Sequence, residues 1–128
     1  MSTTDLVKII ALSPIGIDKV EKDISFILVD GEVIQSAYKS IRDKLAITNK
    51  RIITIDKQGL TGKKIEYLSI PFNKVTSFSL ETAGTFDLDA ELKVWVSGLG
   101  KFELQFVKGT DIKPIAKMLS NYIVGNVE

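Results

Sequence analysis

Short runs of alternating apolar and polar residues dominate the second half of the chain. The two clearest runs lie at 91–96 and 102–106, and Gly98-Leu99-Gly100 stands between them. Strict alternation is typical of a strand with one buried face, and glycines between two such strands are typical of a hairpin. We therefore predict an antiparallel pair whose core-facing residues are Leu92, Val94, Val96, Phe102, Leu104 and Phe106.

Five further strand-like segments precede this hairpin. They lie at 32–41, at Leu45 to Ile47, at 51–56, at 63–70 and at 75–81. Many of their residues are β-branched or aromatic, which favours strands. A turn is predicted at 59–62, and Pro71 ends one strand because proline cannot donate a ladder hydrogen bond.

Helical spacing appears only near the two ends of the chain. Leu6 to Ile10 and Ile17 to Leu28 predict two short N-terminal helices, which we assign to an extension over residues 1–30. A closing helix is predicted after Thr110 or Asp111, with Ile112, Ile115 and Leu119 on its core-facing stripe. Residues 31–128 are then one mostly β domain, a curled sheet with the closing helix at its open end.

Composition excludes several classes of protein. The chain has 128 residues, no cysteine and no histidine, and its 17 basic and 16 acidic residues give a formal charge of +1. Thiol catalysis, serine–histidine hydrolysis and the usual zinc sites are therefore excluded. Such a balanced charge is not typical of a nucleic-acid binder. The first residues do not resemble a signal peptide, so we expect a cytoplasmic protein.

The order of elements resembles the pleckstrin-homology (PH) fold, and several blocks of sequence resemble the bacterial PH-like family over roughly residues 20–124. The blocks are 41–43, 48–51, 56–64, 66–67, 69–71, 81–84 and 87–93. One departure is Phe72, where the family often has tyrosine. The resemblance implies a curled, seven-stranded antiparallel sheet or partly open barrel with a capping C-terminal helix. It also implies assembly into rings, but no particular biochemical activity.

A network of charged residues is the first candidate site. Its members would be Arg42, Asp43, Arg51, Glu81, Asp87 and Asp89. One interpretation is an anchor for a ligand or partner, and the other is a structural set of ion pairs. Asp87 and Asp89 alternate with Glu91 and so also suggest calcium, but the spacing of an EF-hand is missing. We predict no metal site.

Lysines near the predicted turn at 59–62 are the second candidate site. Lys57, Lys63 and Lys64 would form a weak anion patch there. The segment from Gly59 to Lys64 lacks the spacing of a phosphate-binding loop and joins two strands, so we interpret it as a hairpin.

Trp95 is the third candidate. It falls on the face of its strand opposite Leu92, Val94 and Val96. Either it anchors an interface, as large amphipathic aromatic residues often do, or the N-terminal helices cover it.

No pair of residues suited to acid–base or nucleophilic catalysis stands out, and no cofactor motif is present. We therefore predict a non-enzymatic domain without cofactors that forms a symmetric homo-oligomer and binds a protein partner. The family resemblance suggests a five-membered ring. The alternative is a peripheral membrane module that binds anionic lipid head groups weakly through its lysines.

Overall fold

The computed structural model of the chain describes residues 5–58, 63–82 and 90–125, with side chains from residue 8 onward. Strands account for most of these residues, and the last element is a helix, so the predicted class is confirmed. The elements are β1 (Asp5–Pro14), α1 (Asp18–Ile24), β2 (Ile34–Lys39), β3 (Lys44–Thr48), β4 (Arg51–Gln58), β5 (Lys64–Pro71), a 3-10 turn (Phe72–Lys74), β6 (Val75–Glu81), β7 (Ala90–Val96), β8 (Gly100–Phe106) and α2 (Lys113–Ile123).

The described residues fall into two compact units. The central unit lies within Ser13–Pro71, and the terminal unit lies within Met1–Leu12 and Phe72–Glu128. Strand β1 contributes its first part to the terminal unit and its last two residues to the central unit. Within each unit the strand order has two ends, so each sheet is open.

The central unit is an antiparallel sheet in the order β5-β4-β3-β2-β1 with α1 on one face. Val20 and Ile24 are four residues apart and fully buried, so one side of α1 faces the sheet. They share a hydrophobic cluster with Ala37 and Ala46. These two alanines are directly opposite each other on β2 and β3, and their small side chains leave room for the helix.

The terminal unit has the strand order β1-β8-β7-β6, and α2 packs against β6 and the 3-10 turn. All nine residues predicted to face the core on β7, β8 and the closing helix are buried. Phe72 and Tyr122 stack with ring centroids 4.5 Å apart, which fixes the helix on the turn. The predicted cap at Thr110 or Asp111 is wrong, since Ile112 is at the N-cap of α2 and has no side-chain capping bond; Asp111, one residue earlier in the chain, accepts a hydrogen bond from the Lys113 N–H through Oδ1.

The N-terminal prediction of two helices is wrong in its first half. The segment predicted as a helix at Leu6 to Ile10 lies in β1, which runs parallel to β8. A helix of that length is unstable alone, whereas pairing with β8 satisfies the backbone of a β-branched segment. The described sheet strands therefore number eight rather than seven, and one pair is parallel. The second helix exists but ends at Ile24, not at Leu28.

Candidate interaction surfaces

Trp95 lies on the face of the terminal-unit sheet that is opposite the core. Its cross-strand neighbours are Ser77 on β6 and Lys101 on β8, and the residue is half-buried. The predicted first helix is a strand, and α1 has its main helix–sheet contacts with β2 and β3. Among the described elements, α2 packs mainly on β6 and the 3-10 turn. The indole is therefore bordered by polar side chains on its own sheet.

Charged side chains on the same face are paired with one another. Lys101 Nζ lies 3.0 Å from Glu103 Oε1, and its hydrogen bond lowers the pKa of Glu103. Glu91 accepts a hydrogen bond of 2.9 Å from Gln105 and lies 3.5 Å from Lys93. This pairing reduces the electrostatic cost of covering the face.

Strand β6 ends the sheet order of the terminal unit, so one side of its backbone has no partner strand among the described residues. From Val75 to Leu80 its sequence contains no charge and no proline. The other edge strand, β5, carries Lys64 and Glu66 and ends at Pro71. Charges and proline are the usual protection of edge strands against pairing, so β5 has this protection and β6 lacks it until Glu81.

In the central unit, the described members of the predicted charge network have different partners. Arg51 binds Glu32, a residue that sequence reasoning missed, with Nε 2.9 Å from Oε2 and Nη2 2.9 Å from Oε1. Thr48 Oγ1 donates to the same carboxylate at 2.7 Å. Burial raises the pKa of Glu32, but hydrogen bonds from Arg51, Thr48 and the Val29 N–H outweigh it and hold the pKa at about 2. This network closes the loop before β2 onto the β3–β4 hairpin.

Asp43 belongs to a second, separate arrangement. It lies in the β2–β3 turn beside Asp56 of β4, which sequence reasoning also missed. Burial, together with the hydrogen bond and the like charge of Asp56, raises the pKa of Asp43 to about 6, although Arg42 opposes this. The Asp43 carboxyl is therefore protonated in mildly acidic solution. Because strand register alone brings Asp43 and Asp56 together, no local motif marked the pair.

The remaining predicted charges are exposed or lie outside the described residues. Glu81 is exposed at the end of β6, opposite Glu91. Asp87 and Asp89 lie outside the described residues, as does the predicted turn at 59–62. Lys57, Lys63 and Lys64 are all exposed near the end of the β4–β5 hairpin, where Lys64 is opposite Gln58.

A cavity of about 380 Å³ lies in the central unit, where α1 meets β2 and β3. It is lined by Ile15, Gly16, Lys19, Lys39 and Lys44. None of these three lysines was singled out from the sequence, because they converge only when α1 is placed beside the β2–β3 hairpin.

An open, mostly antiparallel β architecture with a C-terminal helix on its last sheet defines a PH-like domain. Within that class, the model of the family described as "Bacterial PH domain" matches residues 4–123. The chain belongs to the bacterial PH domain family, as its sequence blocks predicted.

Two proteins from Bacillus subtilis (strain 168) are similar in sequence. The chain is 48% identical to the uncharacterized protein YjqA over 103 residues, an alignment that covers 79% of this chain and 82% of YjqA. It is 35% identical to the uncharacterized protein YozO over 102 residues, an alignment that covers 80% of this chain and 88% of YozO.

Two crystal structures are also similar. A DUF1696 family protein with a pleckstrin-homology domain from Shewanella loihica PV-4 has 43% identity and a TM-score of 0.77, over 90% of this chain and 99% of that one. A pleckstrin homology domain from Shewanella amazonensis SB2B has 46% identity and a TM-score of 0.65, over 87% of this chain and 90% of that one. Both support the assigned fold. In the part of the chain that the structure describes, no helix has the length and apolar character needed to span a bilayer.

Proposed function

We propose that this protein is a non-enzymatic, cytoplasmic assembly domain that forms a closed homo-oligomer and binds a protein partner. The observation that carries the proposal is the contrast between the two edge strands. Strand β5 has charges and a proline along its edge, whereas Val75–Leu80 of β6 has neither. An unprotected edge is a template for pairing with another chain, and a second copy is always available as that chain.

The Trp95 face extends this edge into a larger contact. Trp95 is on β7, one strand in from β6, and Thr76 of β6 donates a hydrogen bond to the Trp95 carbonyl at 3.2 Å. Covering a half-buried indole removes apolar area from water, and aromatic residues of this size are frequent interface anchors. The neighbouring charges already have partners, so they can enter the contact as neutral pairs.

Closed symmetry limits the size of the assembly. A contact between two different surfaces of identical chains produces a ring when the rotation between neighbours closes. A ring also satisfies every copy of the edge, which an open chain of subunits does not. Five subunits is the number that the family resemblance suggests, and we adopt it as the first to test.

Trp95→Glu tests the interface, and Phe26→Glu is its matched control. Phe26 is 68% exposed and belongs to the central unit, so Phe26→Glu makes the same aromatic-to-acid change at a residue outside β6 and β7. Light scattering after size exclusion should show that Trp95→Glu lowers the assembled mass, while Phe26→Glu leaves it unchanged. Circular dichroism checks that both variants are folded. An oligomer that survives Trp95→Glu contradicts the proposed anchor.

Phe26 also marks the surface that we assign to the protein partner. Its ring packs edge to face against Tyr67 of β5 at a centroid distance of 5.1 Å. Ile65, two positions before Tyr67 on β5, is 41% exposed. Pull-downs from the native cell should recover a partner with wild type and with Trp95→Glu, but not with Phe26→Glu. Recovery of the same proteins by all three baits contradicts this assignment.

A second candidate function is weak binding to anionic membranes through Lys57, Lys63 and Lys64. Their common exposure at one end of a hairpin favours it. Each lysine near an anionic surface contributes about 1 kcal/mol, and salt screens the attraction. Sedimentation with phosphatidylserine vesicles should then decrease in Lys63→Gln/Lys64→Gln and at high salt. Equal sedimentation of wild type and variant would remove this candidate.

A further inference from the structure

The cavity beside α1 has the dimensions of a small-molecule site. Its volume of about 380 Å³ is within the range of ligand pockets and equals that of about a dozen water molecules. Backbone hydrogen bonds fix its walls, since the Ile15 N–H donates to the Ala37 carbonyl at 3.0 Å and the Lys19 N–H donates to the Gly16 carbonyl at 3.0 Å.

Three lysines from three elements converge on this cavity. Lys39 and Lys44 are direct cross-strand partners on β2 and β3, and Lys19 is on α1. Like charges placed directly opposite each other destabilise a sheet, and in the part of the chain that the structure describes only the charge of Lys44 is offset, by Asp23. The formal charge of the whole chain is only +1, so this concentration is local rather than a result of a generally basic surface.

Among the described residues, Lys44 is the one lysine of the three with a carboxylate partner. Lys44 Nζ lies 2.8 Å from Asp23 Oδ2 and donates to the Lys19 carbonyl at 3.2 Å, which fixes it in place. Lys19 and Lys39 are exposed and form no ion pair among the described residues. Asp18 lies at the rim, with Oδ1 close to Gly16.

We propose that this cavity binds a phosphate monoester, with Lys19 and Lys39 as its direct ligands and Lys44 as a fixed third charge. A phosphate dianion matches two free ammonium groups, and lysine binds phosphate as a point charge. The volume exceeds what a bare phosphate fills, and Ile15 offers an apolar contact for the organic part of the ligand. The phosphate belongs either to a soluble metabolite-sized molecule or to a lipid head group such as phosphatidic acid.

This site is independent of the proposed self-association, because it lies in the central unit and uses neither Trp95 nor β6. Its test uses the full-length protein in whatever oligomeric state it adopts. We would titrate glycerol 3-phosphate and follow its 31P NMR linewidth, which reports binding at any protein mass. Phosphatidylcholine vesicles with and without phosphatidic acid form the second arm.

We expect substitutions at the cavity to change the affinity for glycerol 3-phosphate in opposite directions, depending on the charge that they remove. Lys39→Gln should weaken binding about fivefold, the usual size of one exposed charge contact. Lys117→Gln makes the same change in net charge on α2, and it should alter binding by less than about twofold. Asp18→Asn should strengthen binding, because it removes a negative charge from the rim. Circular dichroism confirms that the variants are folded.

Saturable binding of glycerol 3-phosphate with this order of affinities supports the site and a soluble ligand. Binding only to vesicles with phosphatidic acid, again weakened by Lys39→Gln, supports the site and a lipid ligand. The proposal is overturned if neither probe binds saturably, or if Lys117→Gln weakens binding as much as Lys39→Gln does.

Discussion

At the scale of single residues, two carboxyl groups of the central unit lie in opposite electrostatic surroundings. Glu32 is removed from water, with 0% of its side chain exposed, but a guanidinium and a hydroxyl satisfy it. Asp43 faces a second carboxylate, Asp56, so its charged form is disfavoured. The first carboxyl therefore stabilises the fold as an anion, and the second does so as an acid.

Replacing Glu32 should be costly at neutral pH. Glu32→Gln leaves the partly buried Arg51 without its counter-charge, and we expect a loss of about 3 kcal/mol in the free energy of unfolding, measured in urea. Glu66→Gln, on the exposed edge of β5, is the control and should change stability by less than about 0.5 kcal/mol.

The pH dependence of this loss has a definite sign. The pKa of Glu32 is lowered from 4.5 to about 2, so its contribution is present above pH 4.5 and is lost as the pH falls towards 2. The difference in the free energy of unfolding between wild type and Glu32→Gln should therefore decrease over that range. A difference that stays constant from pH 7 to pH 2 would contradict the assigned ion pair.

Replacing Asp43 should have the opposite effect. Because its pKa is raised from 3.8 to about 6, its stabilising contribution is complete below pH 3.8 and is lost as the pH rises through 6. Asp43→Asn keeps a hydrogen-bonding group without the charge. It should therefore be more stable than wild type at pH 7.5, by about 1 kcal/mol after solvent screening.

Thermal unfolding of both proteins across this pH range measures the effect. The difference should vanish near pH 4, where wild-type Asp43 is protonated as well. Asp30→Asn, in an exposed position of the same unit, is the control. An Asp43→Asn variant that is less stable than wild type at pH 7.5 would show that the two carboxyl groups do not repel each other.

At the scale of elements, the regular patterns were predictable and the long-range pairings were not. Strand β6 has the bounds predicted from the sequence, Val75 to Glu81, and the hairpin of β7 and β8 follows from the alternation around Gly98. Gly98 has a φ of +82°, a value that favours glycine in such a turn. These features depend on neighbours in the sequence, so the sequence alone specifies them.

Strand β1 and the two carboxylate sites depend instead on distant partners. The apolar run in β1 fits a helix or a strand, and only its pairing with β8 decides between them. Glu32 meets Arg51, 19 positions away, because the pairing of β2 with β3 brings the loop before β2 to the β3–β4 turn. Likewise, Lys19, Lys39 and Lys44 form a cavity only through the packing of α1. Patterns among neighbouring residues in the sequence do not predict these long-range contacts.

Core packing in the terminal unit provides the element-scale prediction. Leu104 is 1% exposed on β8, so Leu104→Ala should cost about 2–5 kcal/mol through lost burial and a residual cavity. Val94→Ala should also destabilise, but by less, because fewer methyl groups are removed. Leu99→Ala is the matched control, since Leu99 is 43% exposed in the hairpin turn and should be nearly neutral. Equal denaturation midpoints for Leu104→Ala and Leu99→Ala would refute the packing.

At the scale of the whole molecule, we propose separate surfaces for separate tasks. In these proposals the β6 edge and Trp95 form the self-association contact, Phe26 and Tyr67 contact a protein partner, and the lysine-lined cavity binds a phosphate monoester. Each proposed surface is tested by its own variant, so a negative result for one surface leaves the proposals for the other two unaffected. Self-association is the central claim, because the family resemblance and the unprotected edge of β6 both favour it.

The molar mass of the wild-type protein in solution decides whether it self-associates. Sedimentation equilibrium over a range of concentrations, at physiological salt, measures it without assumptions about shape. With a subunit of 14.1 kDa, we expect a single mass of at least two subunits, with five subunits as the first expectation. A mass of one subunit that persists at high micromolar concentration would contradict self-association.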